Sequence, residues 1–479
     1  MYLLAHNISV YAIAAVLCSF AWVWGGTRGD LLPHFVPWVT LVLFEVTMAF
    51  PQRAPYESLS GARLRVWREI RSDKLTWACA AFLVLLAVPF VNTSLKVFPW
   101  CPDRLAHFNV FLWFFPSLLA MIAAKHSLRR HGKRTLMSVL VWNGVAMAVL
   151  GFVQLYTGAN SPFWTDHRPG LVFFSTFGYP NMAGDYFASL TFLAIGLWRR
   201  RLYELENTDC SRINSYKLFW SRHYPLIAVV ILYFSALNTL SRSAILLATA
   251  GTVLLFVMAG MVHMKRLHRA ERLKFGAVLL FSVIGLSLFA MLFTPDSVRK
   301  ELNTLDTTGV LNRMTGKTEY HTRVATEILW DNPVFGCGGW GYSYLSPEKV
   351  PDVAKRAAKY GWGAGSANVH NDYLQFLCEH GFVGFGLLLL IVVLAVLPTA
   401  KRWRALATGA RFAKHTGLPW PKGFFCFPPA GIAIYVSALA TMIHAFGDCP
   451  LRSPAVLSLF FVQLVLVDGF LPRAEEESN

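Results

Sequence analysis

The chain has 479 residues, 55% of them hydrophobic and 14% aromatic, a composition that excludes an ordinary soluble domain. Its 44 Lys and Arg against 27 Asp and Glu give a formal charge of +17. That charge would suit nucleic acid only if the basic residues formed one patch, and they do not.

Apolar runs long enough to cross a hydrocarbon core of about 30 Å occur at 8–26, 34–51, 75–92, 107–124, 136–157, 182–198, 225–240, 243–263, 275–294, 380–398, 428–446 and 454–472. The pattern predicts an all-α polytopic membrane protein of about twelve transmembrane helices. No basic segment precedes the first run and no small-x-small cleavage pattern follows it, so it reads as a retained helix rather than a signal peptide. Loops after the even-numbered spans hold 28 Lys and Arg, whereas the short loops after the odd-numbered spans hold six: Arg28, Lys96, Arg104, Arg168, Arg242 and Arg452. By the positive-inside rule the even loops and both termini are cytoplasmic, and the charge is a topology signal. Nucleic acid is not an expected partner.

Polar residues near the outer ends of the spans are then the ones to question, because such groups are costly at membrane depth and tend to mark sites. In TFGYPNMAGDYFA, residues 176–188, Pro180 and Asn181 open span six, with Asp185 one turn in. Asn181 reads either as a helix cap or as a site residue. In TLSRSA, residues 239–244, Arg242 occupies a very short outer turn, against the charge bias. Binding of an anion explains it better than snorkelling.

Between residues 295 and 372 no spanning run occurs, and nine Lys or Arg balance nine Asp or Glu. This reads as a folded outer insertion between residues 1–294, with nine spans, and residues 373–479, with three spans and a cytoplasmic tail; the three parts form one integrated membrane domain. Its best helix is TEYHTRVATEILWDNP, residues 318–333, with Tyr320, Val324 and Ile328 on one stripe. Arg323 has Glu319 four residues before it and Glu327 four after it, so helical ion pairing accounts for it as well as a site role does. The following FGCGGWGYSY matches G-x-G-x-x-G at Gly336, Gly338 and Gly341 but follows a helix instead of a strand. It reads as a tight glycine loop folding the insertion back onto the membrane domain, not as a nucleotide fingerprint.

SANVHNDYLQFLCEHGFVGFG, residues 366–386, starts polar and becomes apolar. If 370–378 is helical, His370, Tyr373, Leu374 and Leu377 share one face, and Asn371 and Gln375 the next. His370 is then a cap or surface residue, or a base suited to neutral pH that shares the outer leaflet with Arg242 and Arg323. IHAFGDCPLR carries His444, Asp448 and Arg452 within nine residues, an arrangement that closing a hairpin would explain. The eight cysteines show no metal-ligand spacing. Cys101, Cys337 and Cys449 fall on the outer side, where a disulfide is open but not assignable.

Arginines beside a histidine, without DxD or HExxH, suit metal-free chemistry on an anionic lipid: guanidinium binds phosphate bidentately, and a histidine can deprotonate an attacking hydroxyl. The order of Arg242, then R-x-x-x-x-x-x-W-x-x-P-x-x-G from Arg323 through Trp330 and Pro333 to Gly336, then VHNDYLQFLCEHGFVG, resembles the O-antigen ligase and polymerase superfamily of multispanning GT-C-type glycosyltransferases. The resemblance covers about residues 170–450. It implies His370 as catalytic base, Arg242 and Arg323 as pyrophosphate ligands, and Asp448 and Asn181 as supporting residues, with Asn371 and Tyr373 from the same segment as His370. No metal and no cofactor is implied. The expected reaction moves a glycan from undecaprenyl pyrophosphate to a lipid A-core sugar at the periplasmic face of the inner membrane. A polymerase using a second lipid-linked repeat would share the same site. Protein-glycosylating relatives carry a further region after the last helices and are not expected. A transporter would place polar residues at mid-membrane on several helices, with internal repetition, which this sequence lacks.

Overall fold

A computed structural model describes residues 7–23, 25, 32–91, 104–165, 172–206, 214–264, 321–347, 349, 368–407 and 429–470. The expected span at 275–294, insertion residues 295–320 and 351–367, Glu319 and Cys101 lie outside the described residues. Among the described residues every regular element is helical, apart from one isolated bridge between Phe174 and Phe177. The helices are α1 (Ile8–Trp22), α2 (Leu32–Ala49), α3 (Leu59–Ser72), α4 (Lys74–Val91), α5 (Arg104–His126), α6 (Arg130–Tyr156), α7 (Pro180–Glu206), α8 (Ser215–Asn238) and α9 (Arg242–Met264). They continue with α10 (residues 321–331), α11 (Gly341–Leu345), α12 (Asp372–Ala407), α13 (Pro429–Gly447) and α14 (Pro454–Leu466).

Among the described residues six helices are long and apolar enough to cross a membrane, within α5, α6, α8, α9, α12 and α13, and α3 with α4 qualifies as a pair bent by 67°. Several of the other expected spans that are described fall short of that length or apolarity, for physical reasons that differ from helix to helix. α7 lies against α8, α13, α9 and α6, so it carries Asp185, Ser189 and Thr191 facing protein instead of lipid, all buried. α14 is only 13 residues long, about 20 Å of helix, and every one of its residues is buried. A helix enclosed on all sides is freed from matching the full bilayer thickness.

The basic loop after α2 contains a helix not expected from the sequence. Ser58 caps α3 by accepting from the Gly61 amide at 3.0 Å; Ala62 and Val66 are buried while Leu64 and Trp67 are exposed among Arg63, Arg65, Arg68 and Arg71. That distribution suits a helix lying in a membrane interface. Asp73 fixes the bend into α4 by accepting from Lys125 Nζ at 2.7 Å and His126 Nε2 at 3.0 Å.

Helix directions sort the polar residues into two ends. At one end Asn7 pairs with Gln52, whose Oε1 receives the Arg129 amide, and Lys133 and Arg134 hold Asp468 and the carbonyl of Gly469. The described chain therefore begins and ends at this basic end, where α7 and α12 also deliver Arg199 to Arg201 and Lys401 to Arg404. The opposite end gathers the starts of α7, α9, α12 and α14 and the end of α13. There the Ser453 hydroxyl donates to the Gly25 carbonyl at 2.7 Å, tying α1 to the start of α14.

Candidate active site

α7 begins at Pro180, so its first turn presents Asn181 and Asp185 about one turn apart. Gly184 lies between them and permits close approach of the turn before α9: a β-carbon there would stand 2.4 Å from Ala244 Cβ and 3.0 Å from Ser241 Cβ. Leu240 takes a left-handed φ of 61° in this turn. Arg242 is consequently the first residue of α9 and half-buried, with its neighbours Ser241 and Ala244 packed against Gly184 in the first turns of α7. Helix N-termini favour anions, and the guanidinium adds a full charge to that dipole.

Asp448, immediately after α13, is the hub. Its Oδ1 accepts from the Cys449 amide at 2.8 Å, the Cys449 thiol at 3.3 Å and the Tyr179 hydroxyl at 3.3 Å, and stands 3.3 Å from His370 Nδ1. Its Oδ2 receives the Asn181 amide, whose nitrogen also lies 3.3 Å from the Tyr179 oxygen. Burial works to raise the Asp448 pKa, but the hydrogen bond and charge of His370, the charge of His444 and the Cys449 amide outweigh it and hold the carboxyl below its ordinary value. Burial, reinforced by the Asp448 charge, pushes the Tyr179 phenol well up, so it remains a neutral donor.

His370 is not on the helix. It precedes α12 with a left-handed φ of 58°, and Asn371 caps that helix by accepting from the Leu374 amide at 3.0 Å. The shared face expected for His370, Tyr373, Leu374 and Leu377 therefore does not form. Instead the imidazole turns Nδ1 to Asp448 and remains 17% exposed. The His321 ring on α10 stands 5.7 Å away, oriented by a 2.7 Å bond between its Nδ1 and the Tyr342 hydroxyl. A carboxylate on Nδ1 places the ring proton there and leaves the Nε2 lone pair directed elsewhere, the arrangement that a general base requires.

A buried frame holds these pieces. Arg452 forks onto Glu379 at 2.8 and 2.7 Å, with side chains 1% and 0% exposed, and its guanidinium lies 4.4 Å from the Trp340 ring centroid. Gln375 adds a 3.0 Å bond to Glu379, and Asp372 accepts from the Leu451 amide at 2.8 Å. The glycine loop lies against the break in α12 at Gly381: Cys337 and Gly338 amides donate to the carbonyls of Cys378 and Glu379, and those of Phe382 and Val383 to Pro333 and Val334. A β-carbon on Gly336 or Gly381 would come within 2.4 Å of the opposing backbone. The loop thus folds the insertion back onto the membrane helices, as its composition suggested.

The structure brings His370, Asn181 and Asp448 together, though they are far apart in sequence. Arg242 belongs to the turn whose Thr239, Ser241 and Ala244 pack against Gly184, three residues after Asn181. Arg323 is 72% exposed and paired with Glu327 at 2.9 Å. Tyr373 donates to the Met442 carbonyl at 2.7 Å and braces α12 against α13. Sequence reasoning missed Tyr179, His321 and the thiol of Cys449 as members of the cluster. The nine-residue window does not close on itself: His444 bonds Asp185 at 3.0 Å, Asp448 takes His370 and Asn181, and Arg452 takes Glu379. Cys337 and Cys449 are free thiols, so the structure forms no disulfide between them.

Fold and cluster together define a multi-pass helical membrane protein with a polar site at one set of helix ends. Residues 227–390 match the family described as O-Antigen ligase, which supports placing the chain in the O-antigen ligase and polymerase superfamily, whose activity is of a glycosyltransferase-like ligase or polymerase type. The matched stretch contains Arg242, Arg323 and His370; Asn181 and Asp448 lie outside it and join the cluster through the fold. No curated protein matches the chain.

Proposed function

We propose that the protein transfers a glycan from undecaprenyl pyrophosphate to a sugar hydroxyl of the lipid A-core at the periplasmic face of the inner membrane. The observation that carries this reading is the His370–Asp448 contact, 3.3 Å long at a partly exposed imidazole, inside a chain whose central region matches the O-antigen ligase family. His370 Nε2 takes the proton of the acceptor hydroxyl, and the oxygen attacks the anomeric carbon from the face opposite the pyrophosphate. The carbon–oxygen bond to the leaving group breaks, configuration inverts, and undecaprenyl pyrophosphate departs. Asp448 stabilises the imidazolium formed on His370.

Arg242 and Arg323 are assigned to the pyrophosphate. Arg242 is supported by its place at the start of α9, in a turn packed against the first turns of α7. Arg323 must leave Glu327, and because that pair is exposed it is worth at most about 1 kcal/mol, so a doubly charged phosphate readily competes. Charge developing on the leaving group is what fixed cations stabilise. The basic opposite end of the bundle supports the orientation, with the site outside.

Proteoliposomes given a defined lipid-linked donor and a choice of acceptors test the reading. His370→Ala should lower transfer by about 10²- to 10⁴-fold with donor binding retained, and Arg242→Ala and Arg323→Ala should weaken donor binding. Wild-type rates in His370→Ala would remove the base. Elongation of a second lipid-linked repeat, without transfer to lipid A-core, would make the protein a polymerase with the same chemistry.

A further inference from the structure

We propose that His370, Asp448 and Cys449 form a binding site for a borderline-soft divalent cation of the Zn²⁺ class, and that its occupation switches the transfer site off. An imidazole nitrogen, a carboxylate oxygen and a thiol sulfur converge here with all three ligand atoms within 4.8 Å of one another. Two of the three edges, His370 Nδ1 to Asp448 Oδ1 and Cys449 Sγ to Asp448 Oδ1, are each 3.3 Å. Tetrahedral zinc with bonds of about 2.0–2.3 Å implies ligand–ligand edges of roughly 3.3–3.7 Å, so two of the three edges already have the length that a shared ion requires. The mixture of N, O and S donors favours zinc over magnesium or calcium, which take oxygen ligands.

The surroundings fit as well. Asn181 holds the other carboxylate oxygen and the Cys449 amide orients Oδ1, supporting bonds of the kind that metal sites use to fix their ligands. A water entering beside the partly exposed imidazole completes a fourth position.

Binding rearranges protons in a defined way. The thiol of Cys449 gives up its proton to solvent as sulfur becomes a thiolate ligand. His370 Nδ1 gives its lone pair to the metal, so the ring proton moves to Nε2. That nitrogen then carries N–H where the acceptor hydroxyl would need a lone pair, and transfer stops. This consequence rests on the proposed role of His370 as base; the binding site itself does not.

The test uses the purified full-length protein in detergent micelles. Zn²⁺ affinity is measured by competition with a chromophoric chelator, and Co²⁺ is added as a spectroscopic probe for a near-ultraviolet thiolate charge-transfer band. One ion per chain and a clear cobalt band are expected, with Cys449→Ser removing the band and weakening Zn²⁺ at least about tenfold. His370→Gln, a second variant at a partly exposed position, should weaken Zn²⁺ similarly, and Cys337→Ser should leave both readouts unchanged. Absence of stoichiometric binding, or a band and affinity that survive in Cys449→Ser, overturns the site. Tight binding that leaves glycan transfer at its full rate keeps the site but overturns the switch and the role of His370 as base. Normal transfer without binding overturns the site alone.

Discussion

Removing Arg452 alone is the sharpest test of how the site is held. Its guanidinium and the Glu379 carboxylate are 1% and 0% exposed, so Arg452→Met strands a carboxylate whose remaining side-chain donor is Gln375 at 3.0 Å. Leaving one member of a buried pair uncompensated costs about 3–5 kcal/mol, far more than the lost hydrogen bonds would suggest, because the penalty is the desolvated charge. Arg452→Met/Glu379→Gln removes both charges and should recover most of that loss. Thermal unfolding in detergent, followed by tryptophan fluorescence with Trp340 lying under the guanidinium, gives the readout. A single variant within about 0.5 kcal/mol of the parent, the range of ordinary surface changes, would refute the assignment, as would a double variant no better than the single.

Other predictions concern separate pieces of the molecule. Gly381 has φ 64° and ψ −173°, a conformation reserved to glycine; Gly381→Ala should lose about 2 kcal/mol or more, whereas Gly386→Ala, where nothing lies within 4 Å of the new carbon, should stabilise α12 by up to about 1 kcal/mol. Comparing the two melting temperatures checks it. At Asp73 burial opposes ionisation, but the bonds and charges of His126 and Lys125 prevail and lower its pKa. A carboxylate lowered in the folded state adds stability above its unfolded value near 3.9 and loses it as pH falls through the folded value. Asp73→Asn should therefore cost about 1–3 kcal/mol at neutral pH, and its deficit against the parent should shrink on acidification below about pH 4; a pH-independent deficit would contradict the ion-pair account. Asp448→Asn should slow transfer roughly ten- to hundredfold, the kinetic equivalent of a charge-assisted hydrogen bond, with donor affinity unchanged in a binding assay.

Much of this arrangement was legible as chemistry but not as partnership. Loop charge separated the helix ends, and Asn181, Arg242, His370 and Asp448 stood out as polar residues at the end where charge is scarce. The glycine loop announced a close approach, and its target proved to be the break at Gly381. His370 was placed on a helix face because a helical period runs through its neighbours, but Asn371 caps one residue later and the imidazole sits on a left-handed residue outside the helix. Local periodicity reports where a helix is favourable, and the exact start is fixed by one hydrogen bond that a period cannot register. Tyr179 and His321 had no sequence signal, since a tyrosine and a histidine near helix ends are ordinary until their partners are known.

The partnerships themselves follow from a constraint that hydropathy does not express. A polar side chain inside a bundle must find its complement on another helix, and the candidates in IHAFGDCPLR were adjacent to one another yet each chose a distant residue: His444 took Asp185, Asp448 took His370, and Arg452 took Glu379. His444 ends α13, Asp448 follows it and Arg452 closes the next short 3-10 turn, so the three side chains project in different directions, and a buried donor left unmet there would cost about 1–3 kcal/mol. Sending them to α7 and to the start and first turns of α12 gives each group a partner and at the same time ties α13 and the turn after it to both helices. Asp448 is the member of this set that also meets a partly exposed imidazole. The bonds that order the helix ends thereby leave one histidine both fixed and reachable, and a surface base needs both properties.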